Sequence, residues 1–321
     1  MDPPRGRSRV NAITHKLVEL CDHLRAAVLP SFGMYAARGH AGAAVGGDVT
    51  FRIDRDAESA LAAYMAEQAP AWAYYSEDRG LQGPAHPELI LVVDPLDGTR
   101  PAAAGFEAAC VSVAAVPARD VPTMGDVVAG VVQEVKSGDV FVAEKGGGVR
   151  MRRAAGEDIP LLPSSHTDID TLFWALGFRG RPVVILASVL QELIDRSSVG
   201  GAVFDLGSAT YSITRILTGQ LDAYVDIGPA IIAAHPATEE QFRRVGLGGV
   251  LCNSPYDLAA AHLLCTEAGI PIGDAQGRSL ARKPVLGADA DHQLACIVAG
   301  SGALRDSLVD VVRRGIEGLP A

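Results

Sequence analysis

Five cysteines are scattered through 321 residues, and no two of Cys21, Cys110, Cys252, Cys265 and Cys296 form a Cys-x-x-Cys pair. An odd number without redox or metal spacing argues against a disulfide framework. It predicts reduced, mostly buried thiols in a cytoplasmic protein. Basic charge is also scarce: 28 Lys and Arg against 38 Asp and Glu leave a formal net charge of −10. No excess of cations is available to neutralise phosphates, which excludes a general nucleic-acid binder and requires local cations for any phosphorylated ligand. No apolar run approaches the ~18 residues of a membrane span, and Met1 to Arg9 lacks the apolar core of a secretory leader. The histidines at 15, 23, 40, 86, 166, 235, 262 and 292 have no metal spacing, which disfavours a zinc hydrolase. A Gly-x-Ser-x-Gly elbow is missing, which disfavours a serine hydrolase. Gly146-Gly147-Gly148 has no Lys-Ser/Thr behind it and reads as a turn, not a phosphate-binding loop. There are no repeats, low-complexity tracts or flexible linkers.

What remains is a chain with an ordinary globular balance, 48% hydrophobic and 21% charged, long enough for about two domains with ample cores. The informative stretch is Leu89-Ile-Leu-Val-Val-Asp94-Pro-Leu96-Asp97-Gly98-Thr99-Arg100-Pro101. Its apolar, β-branched start predicts a buried strand ending at Asp94, because Pro95 cannot donate to a ladder. Gly98 permits a tight turn, and Thr99 with Pro101 predicts a capped helix start. Two carboxylates thus lie at a strand end beside a helix N-terminus, a place suited to hard cations and phosphate. An Asp-rich turn with a capped helix fits the same residues.

Around this stretch the first half reads as an α+β layer. Val10, Ile13, Leu17, Leu20, Leu24 and Val28 predict a long amphipathic helix within 10–38. A Gly/Ala loop over 39–47 follows. Asp48 to Asp54 reads as a short strand, with Asp54 capping the helix that begins at Arg55. Trp72 to Tyr75 reads as a strand running into Ser76-Glu77-Asp78, whose acids suit a solvated turn. Strands are expected at Cys110–Val116 and in a hairpin of Val127–Val135 with Val140–Ala143.

From about residue 165 strands and helices alternate, so the expected division is 1–162 and 163–321. Pro182–Leu186 is expected as a strand, and Asp205-Leu-Gly207-Ser208-Ala209 as the opening of a helix. Leu221–Asp226 is expected as a strand ending in an acid, and 227–252 as an irregular insertion. Ser254-Pro255-Tyr256-Asp257 starts a helix that finishes at Gly269, with Asp257 placed to compensate the helix dipole. A strand at Leu294–Ala299 and a helix from Ser301 close the chain.

Singly, these acids have bland explanations. In order, the chain carries an Asp after Asp-Val-Thr, then Ser-Glu-Asp, Asp-Pro-Leu-Asp-Gly-Thr, Gly-Ser-Ala, and Tyr-Asp-Leu-Ala-Ala-Ala. That series resembles the inositol monophosphatase-like family of magnesium-dependent phosphatases, with its bacterial and archaeal fructose-1,6-bisphosphatases, over roughly residues 10 to 315. The resemblance implies an αβαβα sandwich of the sugar-phosphatase type, a homodimer, and a small phosphorylated polyol or sugar as substrate.

It further implies a first Mg²⁺ on Glu77, Asp94 and the carbonyl of Leu96, a second on Asp94, Asp97 and Asp257, and a weaker third sharing Glu77. Asp54 and Thr99 would orient and deprotonate the attacking water. Gly98 and Thr99 would offer backbone N–H groups to the phosphate. Gly207, Ser208 and Ala209 would approach the substrate, and Asp226 would accept sugar hydroxyl hydrogen bonds.

Three departures bear on substrate. Arg100-Pro101-Ala102 stands where many members have Thr-Asn-Phe, so Arg100 is a candidate for a second phosphate or carboxylate, or for a neighbouring acid. Tyr256 replaces the usual Trp, and 227–252 is longer than expected. Inositol phosphate or a related sugar phosphate is the leading expectation, with fructose 1,6-bisphosphate or a nucleotide 3′-phosphate as alternatives. A degenerate metal-binding regulatory homologue is the alternative of another class.

Overall fold

The chain is described here by a computed structural model covering residues 5–45 and 47–320. Met1–Pro4, on which the reading of the leader partly rests, and Gly46 of the Gly/Ala loop lie outside the described residues. The first helix, α1 (Arg5–Val28), stops just before Pro30. A small ribbon of β1 (His40–Ala43) and β2 (Val49–Phe51) leads into α2 (Arg52–Gln68). Helix α2 thus starts three residues earlier than the sequence suggested. Asp54 is not the residue outside the helix but sits in its first turn, where its Oδ2 accepts from the Phe51 N–H at 2.7 Å.

The next elements are β3 (Ala73–Ser76), β4 (Gly80–Gln82), β5 (Leu89–Asp97), α3 (Thr99–Ala104), β6 (Cys110–Pro117), β7 (Ala129–Glu134), β8 (Val140–Glu144), β9 (Gly148–Arg152) and β10 (Asp158–Ile159). They form an eight-stranded sheet in the order β10-β9-β8-β7-β6-β5-β3-β4, with β3 and β5 parallel and the other pairs antiparallel. Strand β5 does not end at Asp94. It shifts register between Asp94, opposite Ser112, and Asp97, opposite Cys110. Pro95 is absorbed in this irregularity, which swings two carboxylates to one end of the sheet.

The second half holds β11 (Phe173–Leu176), α4 (Val183–Ser197), β12 (Ala202–Phe204), α5 (Ala209–Leu217), β13 (Ala223–Asp226), α6 (Gly228–Ala234), α7 (Glu239–Val245), α8 (Pro255–Ala268), β14 (Ile272–Gly273), β15 (Cys296–Ala299) and α9 (Gly302–Glu317). Its five-stranded sheet runs β12-β11-β13-β15-β14. Two expectations fail here. Pro182–Leu186 is no strand: Pro182 precedes α4, whose buried Ile185, Leu186, Val189, Leu190 and Leu193 follow helical spacing that a five-residue window cannot reveal. Residues 227–252 are no irregular insertion either, because α6 and α7 bury Ile231 and Phe242 completely.

Five layers result. Helices α1 and α2 cover one face of the large sheet, and α5 and α8 cover the other. The small sheet packs on the far side of α5 and α8, and α4 and α9 close its outer face. The αβαβα sandwich is therefore present. Helix α8 is apolar nearly all round, with Leu258, Ala259, Ala260, Ala261, Leu264 and Cys265 buried, as a helix between two sheets must be. Because α5 and α8 lie inside the sandwich, their first turns are brought to the edge where β5 ends. All five thiols are buried and unpaired. No helix among the described residues is long and apolar enough to cross a membrane.

Candidate active site

Three carboxylates from distant parts of the chain meet at that edge. Asp94, Asp97 and Asp257 each offer an oxygen within 4.8 Å of the other two. Two unit charges at that separation repel by ~3 kcal/mol at an effective dielectric of about 20. Three such pairs rival the ~5–15 kcal/mol that holds a domain folded. The cluster must therefore take up protons or a cation. Burial, reinforced by Glu77, Asp97 and then Asp257, pushes Asp94 well above the usual carboxylate range. Burial and the charge of Asp97 push Asp257 up to about 8. Glu77 stands outside the group of three, yet it lines a small cavity with Asp257 and is the leading charge acting on Asp94. Its own carboxyl is raised well above the ordinary value, by burial and then by Asp54 and Asp257.

Each acid is held by a local device. Asp94 Oδ1 accepts from the Leu96 N–H at 3.0 Å. Asp97 Oδ2 accepts from Ser208 Oγ and from the Thr210 N–H, both at 2.7 Å, so the start of α5 is tied to the end of β5. Asp257 occupies the third position of a capping box, with Oδ2 accepting from the Ser254 N–H at 2.6 Å. Glu77 is aimed indirectly. Buried Glu58 accepts from Ser76 Oγ at 2.9 Å and from the Asp78 N–H at 3.2 Å, pinning the residue on each side of Glu77.

Gly98 makes the turn after Asp97 with φ +90°, and a Cβ there would lie 2.3 Å from the Ala108 carbonyl oxygen, so no other residue fits. Thr99 follows. Its hydroxyl does not cap α3: Oγ1 donates to Asp54 Oδ1 at 2.7 Å, with the Leu96 carbonyl at 3.3 Å. Burial raises Asp54 to about 7, against the opposing hydrogen bond from Thr99. Of the acids expected at the site, only Asp226 is turned elsewhere. It is fully buried and ion-paired with Arg181, and it also accepts from the Gly228 N–H at 3.4 Å. Arg100 pairs with Asp48 at 3.4 Å and lies over the Phe51 ring at 5.1 Å.

One functional candidate escaped the sequence reading. Arg179 forms an ion pair with the other oxygen of Asp48, and it lines the cavity shared by Asp97, Gly207, Ser208, Ala209 and Asp257. Asp48 is thereby held below the usual carboxylate range, since Arg179 and Arg100 outweigh its burial. Neither Arg179 nor Arg181 had a signal, because the strand that delivers their loop, β11, was not recognised.

A family model described as "Inositol monophosphatase family" matches residues 28–312. This chain belongs to the inositol monophosphatase family. Within it, an inositol-1-monophosphatase of Mesorhizobium japonicum is 27% identical over 72% of this chain and 74% of its own length. A protein of Vibrio cholerae named Nus factor SuhB is 23% identical over 72% and 73%. A solved inositol monophosphatase of Thermotoga maritima superposes with a TM-score of 0.67, covering 94% of this chain and 97% of its own at 19% identity. Membership supports a phosphatase, and the family's chemistry agrees with a site built of oxygen donors. The three clustered carboxylates are hard oxygen ligands, and Arg179, which lines their cavity, only partly offsets their mutual repulsion, since Asp97 and Asp257 stay raised despite it, so they fit a divalent cation of the Mg²⁺ type.

Proposed function

We propose that this chain is a Mg²⁺-dependent phosphomonoesterase acting on a small phosphorylated polyol, sugar or similar alcohol through a metal-activated water. The observation that carries this is the convergence of Asp94, Asp97 and Asp257 within 4.8 Å, beside the Thr99–Asp54 pair. Glu77, Asp94 and the Leu96 carbonyl would hold one ion, Asp94, Asp97 and Asp257 a second, and Glu77 would share a weaker third. Bound Mg²⁺ supplies positive charge to the phosphate dianion and lowers the pKa of a water.

The chain's own groups do the rest. Thr99 Oγ1 orients the water and Asp54 Oδ1 receives its proton, a task suited to a carboxylate raised to about 7. Backbone N–H groups of Gly98 and Thr99 face the phosphate. Gly207, Ser208 and Ala209 line the side on which the alcohol departs, and Ser208 holds Asp97 in place. Arg100 is assigned to specificity, next to Asp48 at the rim. A homodimer working in the cytoplasm completes the reading.

The test is phosphate release from myo-inositol 1-phosphate, fructose 1,6-bisphosphate and an adenosine 3′,5′-bisphosphate, with Mg²⁺, after EDTA, and after Mg²⁺ is restored. Turnover of at least one ester that chelation abolishes and Mg²⁺ restores is expected. Turnover that survives exhaustive chelation refutes the proposal.

A further inference from the structure

The acid-lined cavity is small, about 50 Å³ in volume. The adjoining cleft of about 780 Å³, which shares Phe178, Arg179, Asp205 and Gly207 with the cavity, has room for the carbon skeleton of a substrate. The cleft's wall is mostly apolar: Pro101, Phe106, Phe178 and Leu206 face it, with Phe106 68% and Phe178 42% exposed. An open apolar wall of this kind, continuous with a charged site, is suited to binding an apolar part of a ligand.

Polyol hydroxyls need acceptors, and only two acids, Glu107 and Asp205, line this mostly apolar cleft. Glu107 pairs with Lys136 at 3.6 Å, and Asp205 accepts from the Gly207 N–H at 3.1 Å. Asp226, the acid expected to bind sugar hydroxyls, is buried in its pair with Arg181. Gly177 packs so closely that a Cβ would stand 2.5 Å from an Asp226 oxygen. At the lip Arg179 and Arg100 both pair with Asp48, which sets positive charge between the acids and the aromatic wall.

Resting on the phosphatase reading above, we infer that the preferred substrate is a phosphate monoester whose alcohol carries a planar aromatic or heteroaromatic ring a few bonds from the ester oxygen. The ring occupies the cleft between Phe106 and Phe178, while the phosphate lies over the acidic cluster. Two edge-on or stacked aromatic contacts and the desolvation of the ring supply the preference, and the arginines at the lip keep the ester's charge in the cavity.

Kinetics and a binding signal together test this. For the native protein with Mg²⁺, kcat/KM for 2-phenylethyl phosphate is expected to exceed that for myo-inositol 1-phosphate and glycerol 2-phosphate by about tenfold or more, a discrimination an apolar pocket can supply. In the Phe106→Ala, Phe178→Ala double variant that ratio is expected to fall to within about threefold. Saturation-transfer NMR on 2-phenylethylphosphonate reads ring contact without turnover: a native signal lost in the double variant supports the inference.

Hydrolysis of the polyol esters with no aromatic preference and no ring signal overturns it. So does a double variant that dissociates in sedimentation and loses all esters equally, since the two rings then serve a subunit interface. If no ester is hydrolysed but the ring signal persists and depends on the two phenylalanines, the phosphatase reading fails while the ring site stands.

Discussion

Thr99 Oγ1 stands 2.7 Å from Asp54 Oδ1, joining the first turn of α3 to the first turn of α2 at the end of β5. Asp54 uses its other oxygen to cap α2 through the Phe51 N–H, so the rigid frame of that helix fixes the carboxylate facing Thr99. If this pair moves the proton of the attacking water, Thr99→Ala and Asp54→Asn lower kcat by about 10²–10⁴-fold and leave KM within a few-fold. Thr99→Ser, which restores the hydroxyl, keeps most of the activity. Steady-state kinetics on any accepted ester checks this, and a Thr99→Ala enzyme with near-native kcat contradicts it.

Ser208 serves twice, donating to Asp97 and accepting from the Tyr211 N–H at 3.0 Å as the cap of α5. Ser208→Ala is expected to lose ~1 kcal/mol of stability through the cap and to weaken Mg²⁺ binding by roughly 10–100-fold through Asp97. Asp257→Asn removes a ligand and weakens binding further. Calorimetric titration with Mg²⁺ measures both effects, and unchanged affinity in Asp257→Asn removes that residue from the metal site.

The acid cluster gives metal-free stability a definite pH slope. In the native chain Asp257 keeps its proton up to about pH 8, whereas in the unfolded chain it releases it near pH 4. Between those values the native state binds more protons, so stability falls as pH rises through the window. His262 acts oppositely: burial lowers it to about 4, so the unfolded chain takes up its proton first and stability falls as pH drops below about 6.5. The difference between melts with and without Mg²⁺ cancels the histidine. It is expected to widen steadily from pH 5 to pH 8, as the cation replaces protons. A difference independent of pH contradicts the assignment.

Gly98→Ala forces a side chain into positive φ and against the Ala108 carbonyl. A loss of about 2–4 kcal/mol in urea unfolding is expected, with loss of Mg²⁺ affinity as Asp97 shifts.

Asp226, at the end of β13, and Arg181, in the loop that also carries Arg179, are nearly inaccessible and pair with each other. Asp226→Asn leaves a buried guanidinium without its counter-charge, and ~3–5 kcal/mol of destabilisation is expected. An exposed hydroxyl-binding role for Asp226 would instead leave stability unchanged and raise KM alone.

The positions of the acids at strand ends and helix starts were legible from local rules, but each acid alone had a bland explanation, and their expected convergence on a metal came from the resemblance to the family. Asp94 and Asp97 flank a proline and a glycine, and Asp257 follows Ser254 and Pro255 at a helix start. Asp226 read the same way, an acid ending a strand, but its partner comes from a loop 45 residues away in the chain that no local pattern ties to it. Strand β11 is four residues long and α6 and α7 are seven each, too short for periodicity to separate them from loop. Residues 182–186 misled for the same reason, since Val183 to Leu186 suits a strand until the apolar positions at 189, 190 and 193 are counted.

The most direct test is anomalous diffraction from crystals of the protein soaked in Mn²⁺, which replaces Mg²⁺ on oxygen ligands and scatters strongly. Anomalous peaks between the carboxylates of Asp94, Asp97 and Asp257, weakened at one position in Asp257→Asn, are the predicted result. An acid cluster without a peak at saturating Mn²⁺, in crystals of protein that still hydrolyses phosphate esters, would contradict it.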